Sequence, residues 1–78
     1  MVELVRYIAE CLVDNPEEVD VQQVEEDDII IIELRVAQED MGKVIGKQGR
    51  IAKAIRSVVK ATTSRSRKKY VVEIAEHD

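Results

Sequence analysis

Residues 44–51 read Val-Ile-Gly-Lys-Gln-Gly-Arg-Ile, and this stretch decides how the rest of the 78-residue chain is interpreted. Glycines at Gly46 and Gly49 can both accept a positive φ and let another backbone approach where a Cβ would block it. A helix is expected to begin after Gly49, and the backbone N–H groups of its first turn have no hydrogen-bond acceptor within the helix. Together with the helix dipole, these groups attract an anion. Lys47 adds a positive charge. The stretch therefore predicts a loop that holds phosphate.

The charges of the chain are divided unevenly along its length. Residues 1–40 hold thirteen acidic and two basic residues, a net charge of -11. Residues 41–70 hold ten basic residues and no acidic one, and residues 71–78 add -3 to give the total of -4. A stretch of 30 residues without a carboxylate has a local positive potential that attracts phosphate. The overall negative charge therefore does not exclude a polyanionic partner.

The first half of the sequence predicts one helix and two strands. Apolar residues recur at helical spacing over residues 3–13, and a short strand is expected over residues 19–24. The acidic run 25–28 is expected to form the turn between the two strands, rather than a metal site, because its carboxylates lack ligand spacing. In residues 29–36 one alternate set, Ile30, Ile32, Leu34 and Val36, makes a fully apolar face, whereas the other set, Ile29, Ile31, Glu33 and Arg35, makes a face that is half apolar.

The second half predicts two helices and a last strand. A helix over residues 38–45 is expected to end at Gly46, which acts as its C-cap, and after a tight turn a second helix covers residues 50–62. One side of that helix is apolar, with Ile51, Ala54, Ile55, Val58 and Val59, and the other is basic, with Arg50, Lys53, Arg56 and Lys60. A polar loop precedes a strand over residues 70–75. We predict one α+β domain over residues 1–78, with helices on one face of a three-stranded sheet.

The run from Val44 to Ile55 resembles the VIGxxG core of KH domains, with Val44, Ile45, Gly46 and Gly49 at the matching positions. The leading helix is similar to the type II arrangement, and the length resembles the small stand-alone bacterial KH proteins of the KhpA type. This resemblance implies a GxxG loop that clamps about four nucleotides of single-stranded RNA or DNA. It also implies an RNA chaperone or post-transcriptional regulator that self-associates or pairs with a larger Jag-type KH protein.

The resemblance assigns roles to individual residues of this chain. The sugar-phosphate backbone would be held by Gly46, Lys47, Gln48, Gly49 and Arg50. The aliphatic groove for bases would be lined by Val44, Ile45, Ile51 and Ala52, with auxiliary positive charge from Lys43, Lys53 and Arg56. Many KH domains have a larger aliphatic residue where this chain has Ala52, which implies either a shallower groove or a register shifted by one.

Other functions have less support in the sequence. A Walker loop is excluded because Gly42 and Gly46 have the wrong spacing and Gln48 follows Lys47. An enzyme would need a base and a nucleophile near the loop, whereas His77 stands alone at the end of the chain. We expect no catalytic residue, cofactor or metal. Cys11 falls within an apolar helical pattern and is expected to be a buried, inert thiol.

Two questions stay open at the level of sequence. The basic residues of the loop 62–69 either extend the nucleic-acid path or only connect two elements. The chain is also consistent with an interaction module, either a homodimer or a docking partner, that uses the strand face around Ile29 and Ile31 or the helix around Val58. Since neither a signal-peptide pattern nor a membrane-length apolar run occurs, we expect a cytoplasmic protein without a membrane partner.

Overall fold

The computed structural model describes residues 1–76, apart from the side chain of Lys47. The expectations for His77 and for the Lys47 side chain therefore lie outside the described residues. Two α-helical elements, one 3₁₀ helix and three strands follow one another along the chain: α1 (Val2–Leu12), the 3₁₀ helix (Pro16–Glu18), β1 (Asp20–Glu26), β2 (Ile29–Val36), α2 (Gln38–Thr62) and β3 (Lys69–Glu76).

Strand β2 lies at the centre of the sheet, whose order is β1-β2-β3. β1 runs antiparallel to it and β3 runs parallel, with Ile32 paired to Val72. A parallel partner needs a crossover, and the long helical element α2 provides it. The predicted three-stranded sheet is confirmed.

One hydrophobic core joins both helices to the same face of the sheet. The alternating set on β2 is buried as predicted, and residues from every strand and both helices complete the cluster: Val5, Ala9, Val13, Val21, Ile30, Ile32, Leu34, Val36, Val44, Ala52, Ile55, Val59 and Val72. Because the core side chains of β2 all point one way, α1 and α2 must cover that side. The α+β class with helices on one face is confirmed.

The hairpin between β1 and β2 is tighter than the acidic run suggested. Glu25 and Glu26 belong to β1, and Glu26 pairs with Ile29, so the turn consists of Asp27 and Asp28 alone. Asp27 has a φ of 42°, a conformation that Asp tolerates better than most residues. The prediction of a four-residue turn was wrong, because exposed strand positions accept acidic side chains as readily as a turn does.

The thiol of Cys11 is exposed, which contradicts the prediction of a buried cysteine. In α1 the buried residues are Val5 and Ala9. Cys11 follows Ala9 by two residues, which is about 200° around the helix, so it lies on the opposite side. The apolar residues of α1 extend further around the helix than the side that packs against the core.

A buried carboxylate connects the end of the α1 region to the start of α2. Asp40, which is 1 % exposed, accepts hydrogen bonds from the backbone N–H groups of Asp14 and Asn15, each at 3.0 Å, and from Asn15 Nδ2 at 3.2 Å. Burial raises the pKa of Asp40, but these donors and the nearby Lys43 outweigh it and hold the pKa below the usual value of 3.8. Asp40 therefore fixes the first turn of the element that carries the glycine loop.

Candidate nucleic-acid interface

The glycine loop lies inside α2 and not between two separate helices. Helical hydrogen bonding continues from Gln38 to Thr62, but Gln48 and Gly49 each have a φ of 66°. Two consecutive left-handed residues cannot belong to a straight right-handed helix, so the axis must change direction there. The predicted break is present, although two residues later than the expected C-cap at Gly46.

The two glycines have different reasons to be glycine. Gly49 has a positive φ that disfavours any side chain, whereas Gly46 does not have a positive φ, although a glycine would accept one. A Cβ placed on either residue would meet no atom of this chain within 4 Å. The fold itself therefore does not require Gly46 to be glycine. Its missing side chain keeps the surface of the loop open to an incoming molecule.

The residues that are expected to hold a nucleic-acid backbone lie at the surface of the protein. Gln48 and Arg50 are exposed, and Gly46 and Gly49 are partly exposed. Gln48 is the unusual member, because a positive φ costs a non-glycine residue about 1–2 kcal/mol. Strain of this kind concentrates at functional sites, where the surrounding structure maintains it.

The four residues expected to line a base groove divide into two pairs. Val44 and Ala52 are buried in the core, so their contribution is to pack beneath the loop. Ile45 is 52 % exposed and Ile51 is partly exposed, so these two present apolar surface beside the glycines. Ala52 is 4 % exposed and belongs to the hydrophobic core, where a small side chain can pack without reference to a ligand.

Of the auxiliary basic residues, Lys43 is engaged and the others face solvent. Lys43 Nζ lies 3.1 Å from Asp14 Oδ1, next to the Asp40 cluster. Arg50, Lys53 and Arg56 are exposed along one side of α2, and within residues 1–76 no carboxylate lies within 4.0 Å of them. The positive charge of this helix face is therefore available to a phosphate chain.

A groove of about 570 Å³ opens at the far end of this basic face. Its wall begins at Arg56, seven residues beyond Gly49, or about 10 Å along the helix. Apolar, hydroxyl and basic side chains share the lining, which comprises Arg56, Val59, Lys60, Thr63, Ser64, Lys68, Lys69, Tyr70, Val71 and Val72. Such a mixture suits a ligand that has both flat apolar rings and phosphates.

The second wall of this groove is the outer edge of β3. Three consecutive residues, Tyr70, Val71 and Val72, line the groove. Because side chains alternate between the two faces of a sheet, consecutive residues can all line a groove only where it runs along the strand edge. Within the sheet β3 pairs only with β2, so its other edge carries unpaired N–H and C=O groups. Sequence reasoning missed this wall, because neither the polar loop nor the short apolar strand carries a binding motif of its own.

The profile described as "KhpA/KhpB, KH domain" matches residues 2–74. This chain belongs to the KhpA/KhpB KH-domain family. The RNA-binding protein KhpA of Clostridium perfringens is 64 % identical over 74 residues, covering 95 % of this chain and 99 % of that protein. The RNA-binding protein KhpA of Listeria monocytogenes is 51 % identical over 76 residues, covering 97 % and 100 % of the two chains. The resemblance seen in the sequence is confirmed.

A solved structure shows the same fold in a larger protein. A crystal structure of Era in complex with MgGDPNP and nucleotides 1506–1542 of 16S ribosomal RNA superposes with a TM-score of 0.65 and 22 % identity. The match covers 96 % of this chain but 29 % of the Era chain. At this identity the likeness shows the fold alone. This chain and part of Era thus share one arrangement of helices and sheet.

None of the helices within residues 1–76 combines the length and apolarity needed to cross a bilayer.

Proposed function

We propose that this chain is a non-enzymatic protein that binds single-stranded RNA, with the loop from Gly46 to Gly49 clamping the sugar-phosphate backbone. The observation that carries the proposal is the pair of left-handed residues, Gln48 and Gly49, on an exposed turn inside an acid-free segment. The KhpA relatives named above are described as RNA-binding proteins, which supports the same conclusion.

Backbone capture follows from the local geometry of the turn. The positive φ of Gln48 and Gly49 turns the backbone of α2 here, and the missing side chain of Gly49 lets a phosphate approach the main chain closely. Arg50 and Lys53 continue the positive charge along the exposed side. A phosphate chain held at the loop would therefore be led along α2 towards the groove.

Base contact rests on aliphatic surface and on one strand edge. Ile45 and Ile51 lie beside the loop, and the free edge of β3 offers backbone donors and acceptors to base edges. Tyr70 is the only aromatic side chain in the groove lining. Because stacking on aromatic rings supplies much of the affinity in other single-strand binders, we expect weak and weakly selective binding by one copy, with single-stranded DNA also accepted. Such a protein would act as an RNA chaperone or post-transcriptional regulator in the cytoplasm.

Binding is expected to weaken steeply with salt. With about three phosphates contacted, a slope of about 0.7 per phosphate predicts a loss of roughly 20-fold in affinity between about 50 and 200 mM salt. Fluorescence anisotropy with a labelled oligouridylate at several salt concentrations measures this directly. An affinity that does not change with salt would contradict backbone capture.

A second proposal concerns the uncovered face of the sheet. Val24, Ile31 and Val71 form one cross-strand row on the side away from the helices, and Ile29 lies next to it. Val24 is 43 % and Ile29 41 % exposed. Apolar rows on a sheet face favour association, and a second copy would also raise the effective concentration of a weak RNA site. We therefore also propose that this face forms a homodimer or docks a larger Jag-type KH protein.

The mass in solution tests this second proposal. Light scattering is expected to give twice the monomer mass with or without RNA, and Ile31→Glu is expected to give the monomer, because a buried charge in the apolar row has no partner. Lys53→Glu, an exposed change on α2, serves as the control and should leave the mass unchanged. A monomeric mass for the unaltered chain at high concentration, alone and mixed with a Jag-type protein, would contradict the proposal.

A further inference from the structure

One lysine of the groove is already engaged by the acidic strand opposite. Lys68 lines the groove, and its Nζ donates a hydrogen bond to Oε2 of Glu25 near the end of β1. Both side chains keep part of their surface in solvent, 35 % for Lys68 and 55 % for Glu25. The pair is therefore within reach of a competing anion.

Backbone contact holds the acidic hairpin beside the groove. The N–H of Lys69 donates to the carbonyl of Asp28 at 2.9 Å, so the turn of the hairpin adjoins the residue that starts β3. Glu25, Glu26, Asp27 and Asp28 are all exposed. Two acids of this hairpin, Glu25 and Asp28, thus contact the groove residues Lys68 and Lys69, while the groove's other end leads along α2 to the glycine loop.

We propose that Glu25 limits RNA binding by holding Lys68, and that the hairpin beside it sets the end at which the RNA strand must leave the groove. This inference rests on the function proposed above. A phosphate that approaches Lys68 competes with the carboxylate of Glu25 for the same positive charge, and the neighbouring acids repel a strand that continues past it. Glu25 is therefore a positioning residue, which acts on RNA through Lys68 and lowers the affinity.

The size of the effect follows from the nature of the pair. Partly exposed ion pairs contribute modestly, so releasing Lys68 should tighten RNA binding by about two- to fivefold at low salt. Long-range repulsion by the hairpin is screened over about 10 Å at 0.1 M salt, so the gain should shrink as salt rises. The same contact also predicts that Lys68 contributes little to RNA binding while Glu25 is present.

A double-mutant cycle on the full chain tests the inference. Oligouridylate binding is measured for the unaltered chain, Glu25→Gln, Lys68→Gln and the double variant. Glu25→Gln should tighten binding, Lys68→Gln alone should leave it nearly unchanged, and the double variant should lose most of the gain. Glu17→Gln on the 3₁₀ helix is the matched control, since it removes the same charge from an exposed acid, and it should have no effect.

The possible outcomes separate this inference from the proposed function. Equal tightening by Glu17→Gln and Glu25→Gln would mean a general charge effect and would overturn the inference. A gain in Glu25→Gln that persists in the double variant would overturn it too, because Lys68 would not be the group released. If binding is abolished by acids in the glycine loop yet unchanged by Glu25→Gln, only the inference fails. If binding ignores the loop, the proposed function fails with it.

Discussion

Lys47→Asp combined with Gln48→Asp is expected to abolish detectable RNA binding at physiological salt. The change removes one cation and places two carboxylates where the proposed phosphates approach. At the effective dielectric of a protein surface this repulsion amounts to about 2 kcal/mol or more, roughly a 30-fold loss. The loop should keep its shape, because Asp tolerates the positive φ of position 48 better than most residues. Anisotropy titration with an oligouridylate measures the loss.

A control variant separates the loop from net charge. Arg6→Asp combined with Gln22→Asp changes the total charge by the same amount at two exposed positions on α1 and β1. We expect it to weaken binding only slightly, through the long-range field. If the two double variants weaken RNA binding equally, or if the loop variant binds RNA as tightly as the unaltered chain, the Gly46 to Gly49 loop is not the RNA-binding site.

Asp40→Ala is expected to give the largest loss of stability among single substitutions at charged residues. The substitution leaves the N–H groups of Asp14 and Asn15 without an acceptor, and unsatisfied donors of this kind cost about 1–3 kcal/mol. For a domain of this size a loss of about 2 kcal/mol lowers the melting temperature by roughly 10 °C. Glu39→Ala removes an exposed acid from the same first turn of α2 and should change stability by no more than about 0.5 kcal/mol.

The stabilisation by Asp40 should also depend on pH. Because the pKa of Asp40 is lower in the folded chain than in the unfolded one, its contribution is complete above about 3.8 and is lost as the pH falls through the folded value. Urea unfolding at neutral pH and at successively lower pH below about 3.8 measures this loss of stability. The difference in the free energy of unfolding between the unaltered chain and Asp40→Ala should become smaller in acid. If this free energy difference does not change with pH, hydrogen bonding to the ionised carboxylate is not the source of the stabilisation by Asp40.

The sequence was sufficient to predict the sheet and the position of the loop. Over Ile29–Val36 one alternate set of residues is fully apolar and the other is half charged, and this local spacing specifies which face of β2 is buried. The glycines likewise located the reversal in α2 to within two residues. Gly46 was misread as a C-cap because glycine is common both there and inside a segment that must stay open, and spacing does not separate the two.

Contacts between residues far apart in the chain could not be predicted from the sequence. An acid in the first turn of a helix is explained by the helix dipole, so nothing marked Asp40 as the acceptor for a turn 25 residues earlier. The groove depends on β3 lying parallel to β2, which brings Tyr70 beside the end of α2. Val44 and Ala52 were assigned to the ligand because of the resemblance, whereas both are buried in the hydrophobic core.

The open edge of β3 has a consequence for how the protein behaves in the absence of RNA. A strand edge with unpaired hydrogen-bonding groups is a template for another strand, and proteins commonly guard such edges with lysine. Lys60, Lys68 and Lys69 lie in the lining of the groove along that edge. Lys60 and Lys69, which would attract RNA, and Lys68 therefore also keep two copies of the chain from joining edge to edge. Neutralising all three would cost solubility as well as affinity.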